Sequence, residues 1–200
     1  MTDPITDISA LEALYGPPTE TSLIKVTDHL LPAYREWVQA AKFCVLTTVG
    51  PEGTDGSPRG DDEPVLRILD DQTLAMPDWR GNNRLDSLRN IVRDGRVSVL
   101  LMVPGNSNVL RINGTAQLTA DPDLRASFEK SGKQPTTVIL LNIAQVYTQC
   151  ARAILRAGLW GDQTGPDLPS IGTALAQAKA GFDAAGYDAN WAPQAAKTLW

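Results

Sequence analysis

Residues 108–119 read NVLRINGTAQLT, and the alternation in this stretch decides the fold. Leu110, Ile112, Gly114, Ala116 and Leu118 fall on one side of an extended chain. Val109, Arg111, Asn113, Thr115 and Gln117 fall on the other, because successive side chains of a strand point to opposite faces. A period of two sustained this far predicts a strand with one buried face. Working outward, five more segments carry the same β texture: FCVLTTV (43–49), VLRIL (65–69), TLAMP (73–77), VSVLLMV (97–103) and TTVILLNIAQVYTQC (136–150). The stretch GPEGTDGSPRG (50–60) is rich in turn formers and reads as the first turn. Helical spacing is predicted for residues 5–14, for a segment from Thr27 capped by Thr27 or Asp28 with Pro32 in its first turn, for 82–94, and for 121–130 behind an Asp-Pro-Asp cap. The connections are short enough that most strand pairs are antiparallel. The expected class is mainly β with peripheral helices, a six-stranded antiparallel barrel, closed or partly closed. Helices in 1–41 are expected to pack on a barrel of residues 42–160, with 161–200 as a helical tail whose helix lies near 171–185.

At 200 residues the chain is one domain with a small appendage, and 42% hydrophobic with 20% charged residues is a globular composition. The longest near-continuous apolar run, 97–103, is far short of the roughly 20 residues that cross a bilayer, so no membrane span is expected. Asp3, Asp7 and Glu12 stand where a signal peptide would need a basic and then an apolar region, which makes the cytoplasm the expected location. A net charge of −5 argues against a nucleic-acid surface. Cys44 and Cys150 lie in apolar, strand-like segments and are expected to be buried reduced thiols.

Familiar catalytic arrangements are missing. His29 is the only histidine, so no metal site of several His ligands can form, and no metal is expected. There is no Cys-x-x-Cys and no glycine-rich phosphate loop. If the chain is an enzyme, the hard chemistry falls to a cofactor. The informative constellation is Gly56-Ser57-Pro58-Arg59-Gly60, followed by Trp79-Arg80-Gly81-Asn82-Asn83-Arg84-Leu85. The second piece sets Asn82 and Asn83 at the expected start of a helix with Arg84 in its first turn. A phosphate is stabilised there by free backbone N–H groups and a charge-assisted bond. The plainer alternative leaves an asparagine as N-cap and Arg84 as a solvated side chain.

The ordered set of S-P-R-G, the 73–77 strand ending in Met76-Pro77, G-N-N-R-L-D-S-L-R-N, V-x-V-L-L-x-V-P-G, L-R-I-N-G-x-A-x-L and Q-C-A-R-A-I-L-R resembles the pyridoxamine 5'-phosphate oxidase-like family of FMN-binding split barrels. Within it, the chain is similar to the subgroup of FMN-dependent enzymes without assigned substrates. The resemblance covers about Lys42 to Trp160. It implies a homodimer with FMN in the interface. It also implies cofactor contacts from Ser57, Arg59 and Gly60 in the first hairpin, Met76 and Pro77 beside the flavin, Asn83 and Arg84 at the helix start, and Arg111 in the Arg-x-x-Gly step. Trp79 stands just before that helix, where it either lies over the cofactor or simply packs; Trp37, Trp160, Trp191 and Trp200 read as packing or interface groups.

The departures concern substrate. Where pyridoxamine phosphate oxidases hold their substrate's phosphate with a Tyr, an Arg and a Ser, this chain has DLRASFEKSGKQ (123–134), and the C-terminal Arg-Leu-x-Pro motif is not recognisable. The expectation is an FMN-dependent oxidoreductase acting on a small molecule other than pyridoxamine phosphate. The alternatives are a flavin-binding protein without turnover and a barrel that holds deazaflavin F420.

Overall fold

The computed structural model describes residues 3–161 and 165–199; the expectation for Trp200 lies outside them. The chain opens with α1 (Ile8–Tyr15), α2 (Glu20–Ile24) and α3 (Pro32–Ala40). It continues with strands β1 (Phe43–Gly50), β2 (Gly53–Gly60), β3 (Arg67–Ile68) and β4 (Thr73–Asp78), then α4 (Asp86–Arg93). Strands β5 (Arg96–Met102) and β6 (Val109–Thr119), the short α5 (Pro122–Ala126) and β7 (Thr137–Gln149) complete the sheet. Helices α6 (Arg152–Ala157), α7 (Ile171–Ala178) and α8 (Ala184–Lys197) follow. The tail thus holds two helices, with α8 extending well beyond the single helix expected near 171–185, and Gly172 N–H donates to Asp188 Oδ1 at 2.8 Å between them.

All strand pairs are antiparallel, in the order β2-β1-β5-β6-β7-β4-β3. The class is mainly β with peripheral helices, as the sequence implies, but the sheet has seven strands rather than six and does not close. The extra strand is β2, which the sequence presents as a turn. Its composition, GTDGSPRG, has Thr54 as its one β-branched residue and no aromatic, and is otherwise made of turn formers and charged residues. Pairing with β1 forms it instead, through an eight-pair register that leaves only Pro51 and Glu52 as the loop. Because β2 is an edge strand, the missing N–H of Pro58 can be accommodated.

The core lies on the face where alternation was read. Leu46 of β1, Val99 and Leu101 of β5, Leu110 and Ile112 of β6, and Leu141 of β7 are fully buried. From the helices, Tyr34 and Val38 of α3 and Leu88 and Ile91 of α4 complete it. α3 begins three or four residues later than a Thr27 or Asp28 cap would place it. Pro32 takes its first position, where a missing N–H costs nothing, while Thr27 pairs instead with Val146 of β7. Cys44 is buried as expected, and desolvation pushes its thiol up to about 12 although Arg59 opposes the shift. Cys150 corrects the other half of that expectation: it follows the last residue of β7 and is exposed. No helix among the described residues is long and apolar enough to cross a membrane.

Candidate functional site

Strand β2, the end of β4, the loop 79–85 and α4 surround a cavity of about 1390 Å³. Alternate residues of a strand share a face, and Asp55, Ser57 and Arg59 are the half-buried ones of β2. At the far wall, Arg59 Nη1 donates to Asp78 Oδ1, and the two side chains are only 19% and 14% exposed. The Nε of Arg59 is buried and has no partner. Nor does Oγ1 of Thr137, the residue opposite Asp78 on β7; among the described residues these are the two buried polar side-chain atoms left unsatisfied. Both residues line the cavity.

The loop into α4 departs from the expected helix start. Asn83 has φ 58° and Leu85 has φ 62°, both left-handed, so the backbone cannot be helical there and α4 begins at Asp86. Asparagine tolerates that region, and Asn82 Oδ1 accepts from Arg84 N–H at 3.0 Å to close a local turn. Arg84 is therefore not in the first helical turn. Its Nε donates to Asp86 Oδ2 at 2.9 Å from a side chain that is 74% exposed. The positive end of α4 is met by carboxylates of this chain, Asp86 in its first turn and Asp55, which accepts from Ser87 Oγ.

Of the eight residues singled out from the sequence, Ser57, Arg59, Gly60, Pro77, Asn83 and Arg84 line the cavity. Met76 does not. It is a core residue, 1% exposed, packed in the main hydrophobic cluster and not on the cavity wall. Arg111 is also elsewhere, its guanidinium 5.4 Å from the Tyr147 ring and donating to Gln149 Oε1 at 3.2 Å. The sequence reading passed over Arg80 and Arg89. Both line the cavity, and neither makes a side-chain hydrogen bond or ion pair among the described residues. The signal was present: Arg89 lies three residues after Asp86 on α4, so it stands on the same helical face. The cavity wall carries six cationic side chains (Arg59, Arg80, Arg84, Arg89, Arg93 and Lys133) and four aspartates, an excess of positive charge on a chain whose net charge is −5. Among the described residues no three His, Cys, Asp or Glu side chains are grouped to hold a metal ion. His29 is exposed, with Nδ1 2.8 Å from Asp28 Oδ1.

Comparison with solved structures finds HupZ of Group A Streptococcus at 15% identity, covering 60% of this chain and 93% of that one, with a TM-score of 0.47. General Stress Protein 26 of Bacillus anthracis matches at 18% identity over 57% and 88% of the two chains, TM-score 0.44. An FMN-binding protein of Syntrophomonas wolfei matches at 14% identity over 58% and 88%, TM-score 0.41. No curated protein matches the chain. The family model described as pyridoxamine 5'-phosphate oxidase matches residues 30–150, which takes in every strand of the sheet and α4, and the chain belongs to that family.

Proposed function

We propose that this chain is an FMN-dependent oxidoreductase that works as a homodimer, holds FMN in the cavity beside β2, and acts on a small molecule other than pyridoxamine phosphate. The observation that carries the reading is the set of donors in that cavity that the rest of the chain leaves uncommitted: the buried Nε of Arg59, which has no partner, and the exposed guanidinium groups of Arg80 and Arg89. Uncommitted guanidinium groups and a buried orphan N–H fit a ligand with a phosphate dianion, which accepts several charge-assisted bonds. The ring-bearing half of such a ligand finds Pro77 and the indole of Trp79 in the same wall.

Bound there, FMN would supply a ring nitrogen that accepts or returns a hydride. The chain's own work is to bind and orient. Among the described residues of this chain, the wall's titratable groups suited to hold or pass a proton are its four aspartates and Lys133. The rim supports a second copy. Leu85, Val92 and Leu199 line the cavity with 46%, 73% and 62% of their surfaces exposed, an apolar edge that isologous pairing would cover.

The test is titration of the purified chain with FMN, followed by flavin fluorescence and by light scattering on the same sample. The expected result is saturable binding, tight enough to survive gel filtration, on a particle of twice the 21.6 kDa chain mass. Anaerobic mixing with NADH or NADPH then separates turnover from storage, and a parallel titration with F420 separates the two flavins. A chain that takes up no FMN, or a monomeric particle that binds it fully, overturns the corresponding part of the proposal.

A further inference from the structure

Asp61 follows the last residue of β2 and lies between two cavities, the large one and a second of about 310 Å³ lined by Gln39, Arg67 and Phe128 among others. Its side chain is 4% exposed. A carboxylate that deep is stable only with its oxygens fully engaged, and here they are. Oδ2 accepts from Trp79 Nε1–H at 2.9 Å; Oδ1 accepts from Lys130 Nζ and, at 3.1 Å, from the backbone N–H of Glu63. The backbone is pinned as well, Asp61 N–H donating to the Lys42 carbonyl at 3.0 Å where β1 begins. Lys130 is tied down in turn by Asp62 and, at 3.8 Å, by Glu63.

These bonds join three segments: the end of β2, the loop that leaves β4, and the connection between α5 and β7. Trp79 packs against the small cluster of Ala75, Phe128 and Val138 and also lines the large cavity. An indole packed on one side and fixed at its N–H has a single orientation, and a planar ligand in the cavity meets it as a rigid wall.

We propose that Asp61 is a positioning residue, which fixes Trp79 as the aromatic wall of the large cavity and is itself held in place by Lys130. The role rests on the cavity being a ring-binding site, as in the flavin proposal, but the bond to Trp79 is a property of the ligand-free chain. The experiment therefore has two arms. In the first, indole N–H signals of the ligand-free protein are followed by nitrogen-resolved NMR, with the Trp79 signal identified by its loss in Trp79→Phe. Hydrogen exchange at Trp79 is expected to be at least about tenfold slower than at Trp191, which is 59% exposed. Asp61→Ala abolishes that protection. Asp61→Asn, whose one acceptor oxygen cannot serve both Lys130 and Trp79, retains only part of it.

In the second arm the same variants are titrated with FMN. Asp61→Ala is expected to weaken FMN binding by roughly tenfold and Asp61→Asn by less than threefold. Should Asp61→Ala fail to fold, Trp79→Phe carries the arm: it keeps an aromatic ring, loses the bond, and is expected to weaken FMN by about fivefold. Fast exchange at Trp79 in the wild-type protein overturns the proposal, and so does unchanged FMN affinity in both Asp61→Ala and Trp79→Phe. A wild-type chain that binds no FMN overturns the flavin reading alone, and the exchange of the Trp79 indole still decides whether Asp61 holds it.

Discussion

Arg59→Ala is expected to lower the stability of the protein by about 3 kcal/mol, which for a chain of this size moves its thermal midpoint by roughly 6–12 °C. An arginine in a turn would give no such result. Arg59 instead sits in an edge strand with its guanidinium on Asp78, and both groups are largely withdrawn from water. Truncation leaves the Asp78 carboxylate in place without its cation, so the loss is chiefly the cost of an uncompensated, mostly buried charge and not the net worth of the pair. The control follows from that distinction. Removing both charges together, in Arg59→Met with Asp78→Leu, should recover most of the lost stability, because two apolar side chains of similar volume fill the space without desolvated charge. Chemical denaturation of the wild-type protein, the single variant and the double variant measures this directly. A double variant no more stable than Arg59→Ala would show that the pair's own attraction dominates. The FMN titration of the same proteins separates the two duties of Arg59, since loss of its Nε weakens the ligand in single and double variant alike while stability returns only in the double.

This double duty shows where the sequence was legible and where it was not. The strands of the middle of the sheet could be read because each is rich in apolar residues, and in β1 and β5 burial alternates strictly, through Cys44, Leu46 and Thr48 and through Val97, Val99 and Leu101. β2 could not be read that way. It exists by pairing with β1, and backbone hydrogen bonds to a neighbour leave no mark on side-chain composition. The site suffered the same fate. Ser57 and Arg59 line the same cavity as the loop after β4, but the partner of Arg59, Asp78, lies nineteen residues along the chain and meets it only through the fold. At α4 the apolar spacing of Leu88, Ile91 and Val92 located the helix, whereas its start depended on two left-handed residues, one of them a leucine that seldom adopts that conformation. A one-turn difference at that boundary drew attention to Arg84, which is committed to Asp86, and away from Arg89, which lines the same cavity without a partner among the described residues. The role of Asp61 left no local signal, since only the Glu63 N–H is a near neighbour and the two side-chain donors, Trp79 and Lys130, are 18 and 69 residues away.

Gly114→Ala is expected to be the most damaging single methyl group in the sheet, costing about 4 kcal/mol or leaving no soluble protein. The Arg-Ile-Asn-Gly step of β6 draws the eye to its arginine, but the glycine carries the structural constraint. Between Asn113 and Gly114 the β6–β7 register slips: Asn113 faces Gln145 and Gly114 faces Ile143, so Ala144 bulges out of the ladder. At that bulge the two backbones close in. A Cβ on Gly114 would stand 1.9 Å from the carbonyl oxygen of Asn142, 3.0 Å from its carbon and 3.2 Å from the nitrogen of Ala144. These are backbone atoms of the partner strand. Unlike the tip of a side chain they cannot swing aside, and moving β7 away breaks pairing that runs the length of both strands and separates Ile112 and Ala116 from Leu141, Ile143 and Val146 in the core. Conformational freedom is not the issue here, since Gly114 is not among the glycines with positive φ. Gly56 supplies the comparison. It is also a strand glycine without positive φ, but a Cβ built on it meets nothing within 4 Å, so Gly56→Ala should change stability by no more than about 0.5 kcal/mol. Urea unfolding of the two variants, made and measured side by side, tests the contrast. Near-wild-type stability in Gly114→Ala would mean that β7 re-registers around the methyl group, and that the bulge is a tolerance of the sheet and not a requirement.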